Sequence, residues 1–165
     1  MKLAKNLNNL GTESAFSVLA EAKALEAKGH PMIHLGLGQP DFKTPKHVVE
    51  AAKKALDDGH HGYVMSNGIP ECREAVTRWI KKQYNANIDA ERILIMPGGK
   101  PTMSYAIQCF GEPGAEIIHP TPAFPIYESM INYTGSTPVP YDLTEDKDLK
   151  FDPDKILSLI TDKTR

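Results

Sequence analysis

Residues 93–106 read ILIMPGGKPTMSYA and join a predicted strand, a glycine turn and the start of a predicted helix. The apolar run at residues 93–96 has the length expected of a strand that is buried on both faces. The tripeptide at residues 97–99 interrupts this run, and apolar residues then recur at helical spacing behind Pro101. We therefore expect a helix that begins at Pro101, directly after the turn.

A turn of this kind presents backbone N–H groups at the positive end of a helix dipole, which suits a phosphate or a carboxylate. A glycine pair between a strand and a helix is also ordinary turn chemistry, so the pattern leaves both interpretations open. The nucleotide-binding P-loop is excluded, because Leu94 and Pro101 stand where that motif needs a glycine and a serine or threonine.

Residues 115–119 (AEIIH) and 137–141 (TPVPY) are interpreted as two more strands, and residues 33–35 as a further short one. The spacing is that of a βαβ unit, whose two strands are parallel. Its members would be a strand at residues 93–96, the helix behind it and the strand at residues 115–119. Helices are predicted at residues 13–28 and from Pro70 onwards, the second with Trp79 directed towards a core. The sequence thus predicts an α/β fold with a mainly parallel sheet.

Three residues outside the glycine turn are candidates for ligand contacts. Phe124 follows the predicted strand at residues 115–119, and loops at the carboxyl ends of strands line the ligand crevice of open α/β sheets. Its alternative is a plain core aromatic. Tyr63 lies in a predicted loop, where it packs locally or offers its hydroxyl to a ligand. Gly38 permits a close backbone approach, whereas a dinucleotide-binding motif is excluded because Asp41 replaces its last glycine.

The composition restricts the partners and the compartment. A net charge of −2 favours neither nucleic acid nor an anionic membrane as partner. No apolar run reaches the length of a membrane span, and the first ten residues are too polar for a secretory signal, so we expect a cytoplasmic protein. Cys72, Cys109 and the six histidines match no pattern of metal ligands, and no metal site is expected.

Four segments, in this order and spacing, resemble the fold-type I, class I/II aminotransferases that use pyridoxal 5′-phosphate, and the branch of aspartate and aromatic aminotransferases is the most similar. They are GQPDF at residues 38–42, Tyr63 with GIP at residues 68–70 and Arg73, PGGK at residues 97–100, and TPAF at residues 121–124 with Tyr127. The resemblance covers nearly all of the chain. It implies a three-layer α/β/α arrangement in which residues 1–45 are an N-terminal arm and small-domain segment and residues 46–165 are the first part of the cofactor-binding large domain.

The resemblance also implies roles in binding the cofactor. Gly98, Gly99 and Lys100 match the turn whose backbone binds the cofactor phosphate. Phe124 matches the aromatic residue that stacks on the pyridine ring. Tyr63 matches the tyrosine that reaches the phosphate of the neighbouring subunit, which implies a homodimer.

For the substrates, an amino acid and a 2-oxo acid, the resemblance implies two contacts in this chain. Gly38 matches a backbone position that contacts the substrate carboxylate, and Phe16 falls in the N-terminal segment that covers the substrate. The family's Schiff-base lysine matches no position here, since Lys100 belongs to the phosphate turn, at the opposite end of the cofactor from the aldehyde. We therefore expect no catalytic residue in this chain, which would be the inactive N-terminal portion of a longer enzyme.

Two other functions remain compatible with the same residues. A β-lyase acting on a cysteine-type substrate keeps the cofactor and the fold but changes the reaction. A binding or regulatory module keeps the fold without the chemistry.

Overall fold

The computed structural model describes residues 2–11, 15–145 and 149–165, and the chain divides into two compact units. One unit comprises Met1–Leu37 together with Gly98–Arg165, and the other comprises Gly38–Pro97. In chain order the helices and strands are α1 (Ala15–Glu26), α2 (Lys46–Asp57), α3 (Pro70–Tyr84), α4 (Gly99–Phe110), β1 (Glu116–Thr121), α5 (Ile126–Thr134), β2 (Thr137–Asp142) and α6 (Pro153–Ser158). Two 3-10 turns lie at Lys5–Asn9 and Ala90–Arg92.

The sheet is parallel, which confirms the predicted α/β class. Strands β1 and β2 pair from Glu116 opposite Thr137 to Thr121 opposite Asp142, and α5 forms the crossover between them. On the other edge of β1, Thr164 forms a single parallel bridge with Glu116. The strands predicted at residues 115–119 and 137–141 are thus confirmed.

The core of the larger unit lies where α4 and α5 pack against β1. Ile131 of α5 is 0% exposed and clusters with Met130 and with Ile107 of α4, and Ile117 of β1 packs against this cluster. The end of α4 approaches α5 closely at Gly111, where an added Cβ would lie 2.5 Å from Thr134 Oγ1. A glycine is therefore required at this point for steric reasons.

Residues 93–96 do not form the predicted strand. Ile93 has an extended backbone, with φ −98° and ψ 128°, but no strand of the described residues pairs with this segment. Ile95 N instead donates to Asn67 O at 3.1 Å, and the Ile95 side chain lies so close to Gly68 that an added Cβ there would meet it at 2.7 Å. The predicted βαβ unit is wrong for this reason, and the unit that forms is β1–α5–β2.

Three smaller predictions also differ from the structure. Residues 33–35 form no strand, and Ile33 and Leu35 are 85% and 89% exposed. Trp79 is exposed and packs edge-to-face on Tyr84, with ring centroids 5.6 Å apart, so its predicted core position is wrong. Helix α4 begins at Gly99, two residues before Pro101. A proline is tolerated there because the first N–H groups of a helix have no intrahelical acceptor.

The substitution Ile131→Ala is expected to lower the free energy of unfolding by about 2–5 kcal/mol, because it leaves a cavity in the core between α4, α5 and β1. Urea unfolding followed by circular dichroism measures this change. The matched control is Ile33→Ala in the same unit, whose exposed side chain should change the free energy by less than about 0.5 kcal/mol. Equal unfolding midpoints for the two variants would contradict the assigned core.

Candidate functional site

The glycine turn at the start of α4 is open to ligands. Gly98 is the N-cap of α4 and has φ 102° and ψ 166°. Residues other than glycine essentially never adopt this backbone conformation. A Cβ added to Gly98 would meet no heavy atom of the described residues within 4 Å, and one added to Gly99 would meet only Met103 Cε, at 3.9 Å. The backbone of this turn is therefore accessible from outside.

The electrostatics of the turn favour an anion. Helix α4 has 12 residues, its first turn contains no acidic side chain, and Lys100 is its second residue. The first N–H groups of a helix lack intrahelical acceptors, and the helix dipole adds a partial positive charge at the same end. Thr102 Oγ1 donates a hydrogen bond to Gly98 O at 3.2 Å and so ties the N-cap to the first turn.

Two aromatic rings meet the Lys100 ammonium group. Lys100 Nζ lies 5.2 Å from the centroid of the Phe124 ring and 5.6 Å from that of the Phe16 ring. Both distances are within the range of cation–π attraction. The structure therefore brings together Phe16 from α1, Lys100 from α4 and Phe124 from the loop after β1.

Phe124 is held at the carboxyl end of the parallel sheet. It lies between the end of β1 at Thr121 and the start of α5 at Ile126, and its carbonyl accepts a hydrogen bond from Tyr127 N at 3.3 Å. Its side chain is 39% exposed and does not belong to the buried cluster of α4 and α5. The ring is thus available to a ligand.

The other two predicted site residues, Gly38 and Tyr63, belong to the unit Gly38–Pro97. The Tyr63 side chain is fully exposed in the loop between α2 and α3. Gly38 is exposed as well, and an added Cβ would meet none of the described residues within 4 Å.

Arg73, in the first turns of α3, is the buried charged residue of this unit. It is 3% exposed, and its Nη1 donates to Glu91 Oε1 and to Ala90 O, both at 3.1 Å. Its Nε is buried without a hydrogen-bond partner among the described residues. The guanidinium group links the start of α3 to the 3-10 turn at Ala90–Arg92, so the role that the contacts support is structural.

Sequence reasoning overlooked two polar residues of the larger unit. Thr102 follows Gly98 by four positions, which is the spacing of a hydroxyl bonded to a carbonyl one helical turn earlier, and this signal was available. Ser129 bonds to the backbone of Gly11. The large separation of these two residues along the chain leaves no local pattern to detect.

Two wider properties follow from the described residues. No group of histidine, cysteine or acidic side chains among them is arranged to hold a metal ion. None of their helices has the combination of length and apolar character needed to cross a membrane.

Known aminotransferases are similar to the whole chain. The aspartate aminotransferase of Bacillus subtilis is 32% identical over 165 residues, which is 100% of this chain and 42% of that protein. The aspartate aminotransferase of Pyrococcus horikoshii is 40% identical over 139 residues, or 84% of this chain and 36% of that protein. The chain therefore spans less than half the length of these relatives.

Solved structures show the same similarity in three dimensions. The structure of the aspartate aminotransferase of Thermus thermophilus with maleate matches with a TM-score of 0.89 at 29% identity. The match covers 100% of this chain and 43% of the chain in that structure. The structure of the alanine aminotransferase of Pyrococcus furiosus matches with a TM-score of 0.89 at 31% identity, and the match covers 99% of this chain and 42% of the chain in that structure. The family model of aminotransferase class I and II matches residues 30–165. The chain belongs to the aminotransferase class I and II family.

Proposed function

We propose that this chain acts as the N-terminal part of an aminotransferase that transfers an amino group between an amino acid and a 2-oxo acid through pyridoxal 5′-phosphate. The observation that carries the proposal is the meeting of an open glycine turn, the Lys100 ammonium group and the exposed Phe124 ring at the start of α4. The relatives named above are aminotransferases, which favours amino transfer over β-elimination.

The residues present fit this cofactor. Its phosphate carries about two negative charges near neutral pH, and the open backbone around Gly98 and Gly99 at the positive end of α4 suits such a group. Its flat ring gains from an aromatic face, which Phe124 offers. When bound, the cofactor supplies an electron sink for the carbanion at the α-carbon of the amino acid.

Each site residue then has a defined task. The backbone at Gly98 and Gly99 binds the phosphate, and Lys100 adds positive charge to the same end of the helix. Phe124 orients the cofactor ring by stacking. Phe16, whose ring lies 5.6 Å from the Lys100 ammonium, belongs to the N-terminal segment that covers the substrate.

The remaining roles extend the proposal to the whole enzyme. Gly38 contacts the substrate carboxylate through its backbone, and Tyr63 reaches the phosphate of a neighbouring subunit in a homodimer. The full exposure of Tyr63 supports such a role across an interface. Residues 1–45 form the arm and small-domain segment, and residues 46–165 form the first part of the large domain.

We expect the covalent attachment of the cofactor to use a lysine outside this chain, because the family's Schiff-base lysine matches no position in this sequence and Lys100 belongs to the phosphate turn. The coverage of 42% of the Bacillus subtilis relative supports a longer protein of which this chain is a part. We infer that this protein is cytoplasmic. On its own the chain binds but does not transaminate.

Gly98→Ala is expected to weaken the binding of pyridoxine 5′-phosphate about tenfold, because a Cβ at φ 102° forces the turn out of its conformation and displaces the phosphate donors. Pyridoxine 5′-phosphate lacks the aldehyde and cannot react with lysines, so isothermal titration reports the non-covalent site alone. The control is Gly114→Ala, which has φ 91° and an equally open surrounding in the same unit, and which should leave the affinity unchanged. Equal affinity for pyridoxine and its phosphate would contradict the phosphate site.

Lys100→Met is expected to reduce the affinity for inorganic phosphate about three- to fivefold, because it removes one exposed positive charge but keeps most of the apolar stem. The difference from the wild-type chain should shrink as salt is added, since salt screens exposed charges. Lys155→Met is the matched control, because Lys155 Nζ also lies over a ring, that of Tyr141, at 5.2 Å. An equal loss in both variants would show that the effect is only one of net charge.

Phe124→Ala is expected to weaken pyridoxine 5′-phosphate binding about fivefold, equivalent to about 1 kcal/mol of aromatic stacking. The affinity for inorganic phosphate should stay unchanged, because the ring contacts the pyridine and not the phosphate. Phe110→Ala, which removes another exposed ring in the same unit, serves as the control in the same titration. Unchanged binding of both ligands in Phe124→Ala would assign Phe124 to packing alone.

A further inference from the structure

The segment that precedes α1 is attached to α5 by one serine hydroxyl. Gly11 N donates to Ser129 Oγ at 3.0 Å, and Ser129 Oγ donates back to Gly11 O at 3.4 Å. The 3-10 turn at Lys5–Asn9 packs on the same helix. Leu10 joins Ile126 and Met130 in lining an apolar hollow beside these bonds. The attachment therefore combines a two-way hydrogen bond with apolar contact.

The helix that carries Ser129 also fixes Phe124. Ser129 N donates to Pro125 O at 3.2 Å, so the first turn of α5 connects the hydroxyl rigidly to the loop that ends in Phe124. On the other side, Gly11 precedes α1, and Phe16 lies in the first turn of α1. The N-terminal residues thus make two separate contacts. Gly11 bonds to Ser129 of α5. Phe16 contacts the Lys100 ammonium, which also lies over the Phe124 ring.

We propose that Ser129 is a positioning residue that fixes the backbone at Gly11 and thereby holds Phe16 against Lys100 at the glycine turn. In this proposal Ser129 acts on the site indirectly, through Gly11 and Phe16. Both bonds go to backbone atoms of Gly11, so the hydroxyl of residue 129 is the side-chain group that makes the polar part of this attachment. The consequence for ligand affinity rests on the proposed function, whereas the placement of Phe16 does not.

The first experiment measures the placement without any ligand. In a chain carrying F16W and W79F, the single tryptophan reports on position 16, and acrylamide quenching of its fluorescence reports on its exposure. We expect S129A to raise the quenching constant about twofold and S129T, which keeps the hydroxyl, to restore the original value. S158A is the matched control, because the Ser158 hydroxyl bonds within its own helix α6. An unchanged quenching constant in S129A, with thermal unfolding like that of the unsubstituted reporter, would overturn the proposal.

The second experiment asks whether the effect passes through Phe16. We expect S129A to lower the affinity for pyridoxine 5′-phosphate about threefold, the loss typical of one net hydrogen bond, and S129T to retain the wild-type affinity. In the F16A background, S129A should cause no further loss, whereas additive losses would overturn a route through Phe16. A wild-type chain that binds no pyridoxine 5′-phosphate would refute the proposed function, and the quenching experiment would still decide the role of Ser129.

Discussion

The packing of α4 and α5 against β1 is the constraint on which the candidate site depends. Ile131 is completely buried at this junction, and Ile107 meets it from α4. The glycine turn lies at the start of α4 and Phe124 lies just before α5, so the relative placement of the two helices sets the distance between the turn and the ring. A loss of apolar packing there would separate the glycine turn from the Phe124 ring, although neither group takes part in the core. This is why a binding site built from two loops requires a rigid scaffold beneath it.

The parts of the fold that follow from local patterns were predictable. The glycine turn, the helix behind it and the strands near residues 117 and 139 were each predicted from residues close in sequence. The placement of Phe124 followed from the rule that loops at the carboxyl ends of parallel strands face one edge of the sheet. These features need no knowledge of distant partners.

The features that failed depend on partners that no local pattern identifies. An apolar run such as residues 93–96 predicts an extended segment that avoids water. A strand also needs a neighbouring strand to accept its hydrogen bonds. Here Ile95 N donates instead to the Asn67 carbonyl, which is not part of a strand. Trp79 illustrates the same limit, because helical spacing defines a face but not the surface that covers it. The bonds between Ser129 and Gly11 join residues 118 positions apart and could be found only from the structure.

The ion pair between Arg73 and Glu91 has very unequal partners, since Arg73 is 3% exposed and Glu91 has a side chain that is 74% exposed. Shortening Glu91 would leave the desolvated Arg73 cation with the Ala90 carbonyl as its remaining acceptor among the described residues. Replacing Arg73 with an apolar residue of similar volume would instead release a carboxylate that water already reaches. Mutation of the two partners therefore has unequal effects on stability. Position 91 tolerates substitution poorly as long as residue 73 is a buried arginine. Replacing both residues with an uncharged pair is an accessible alternative for this part of the protein.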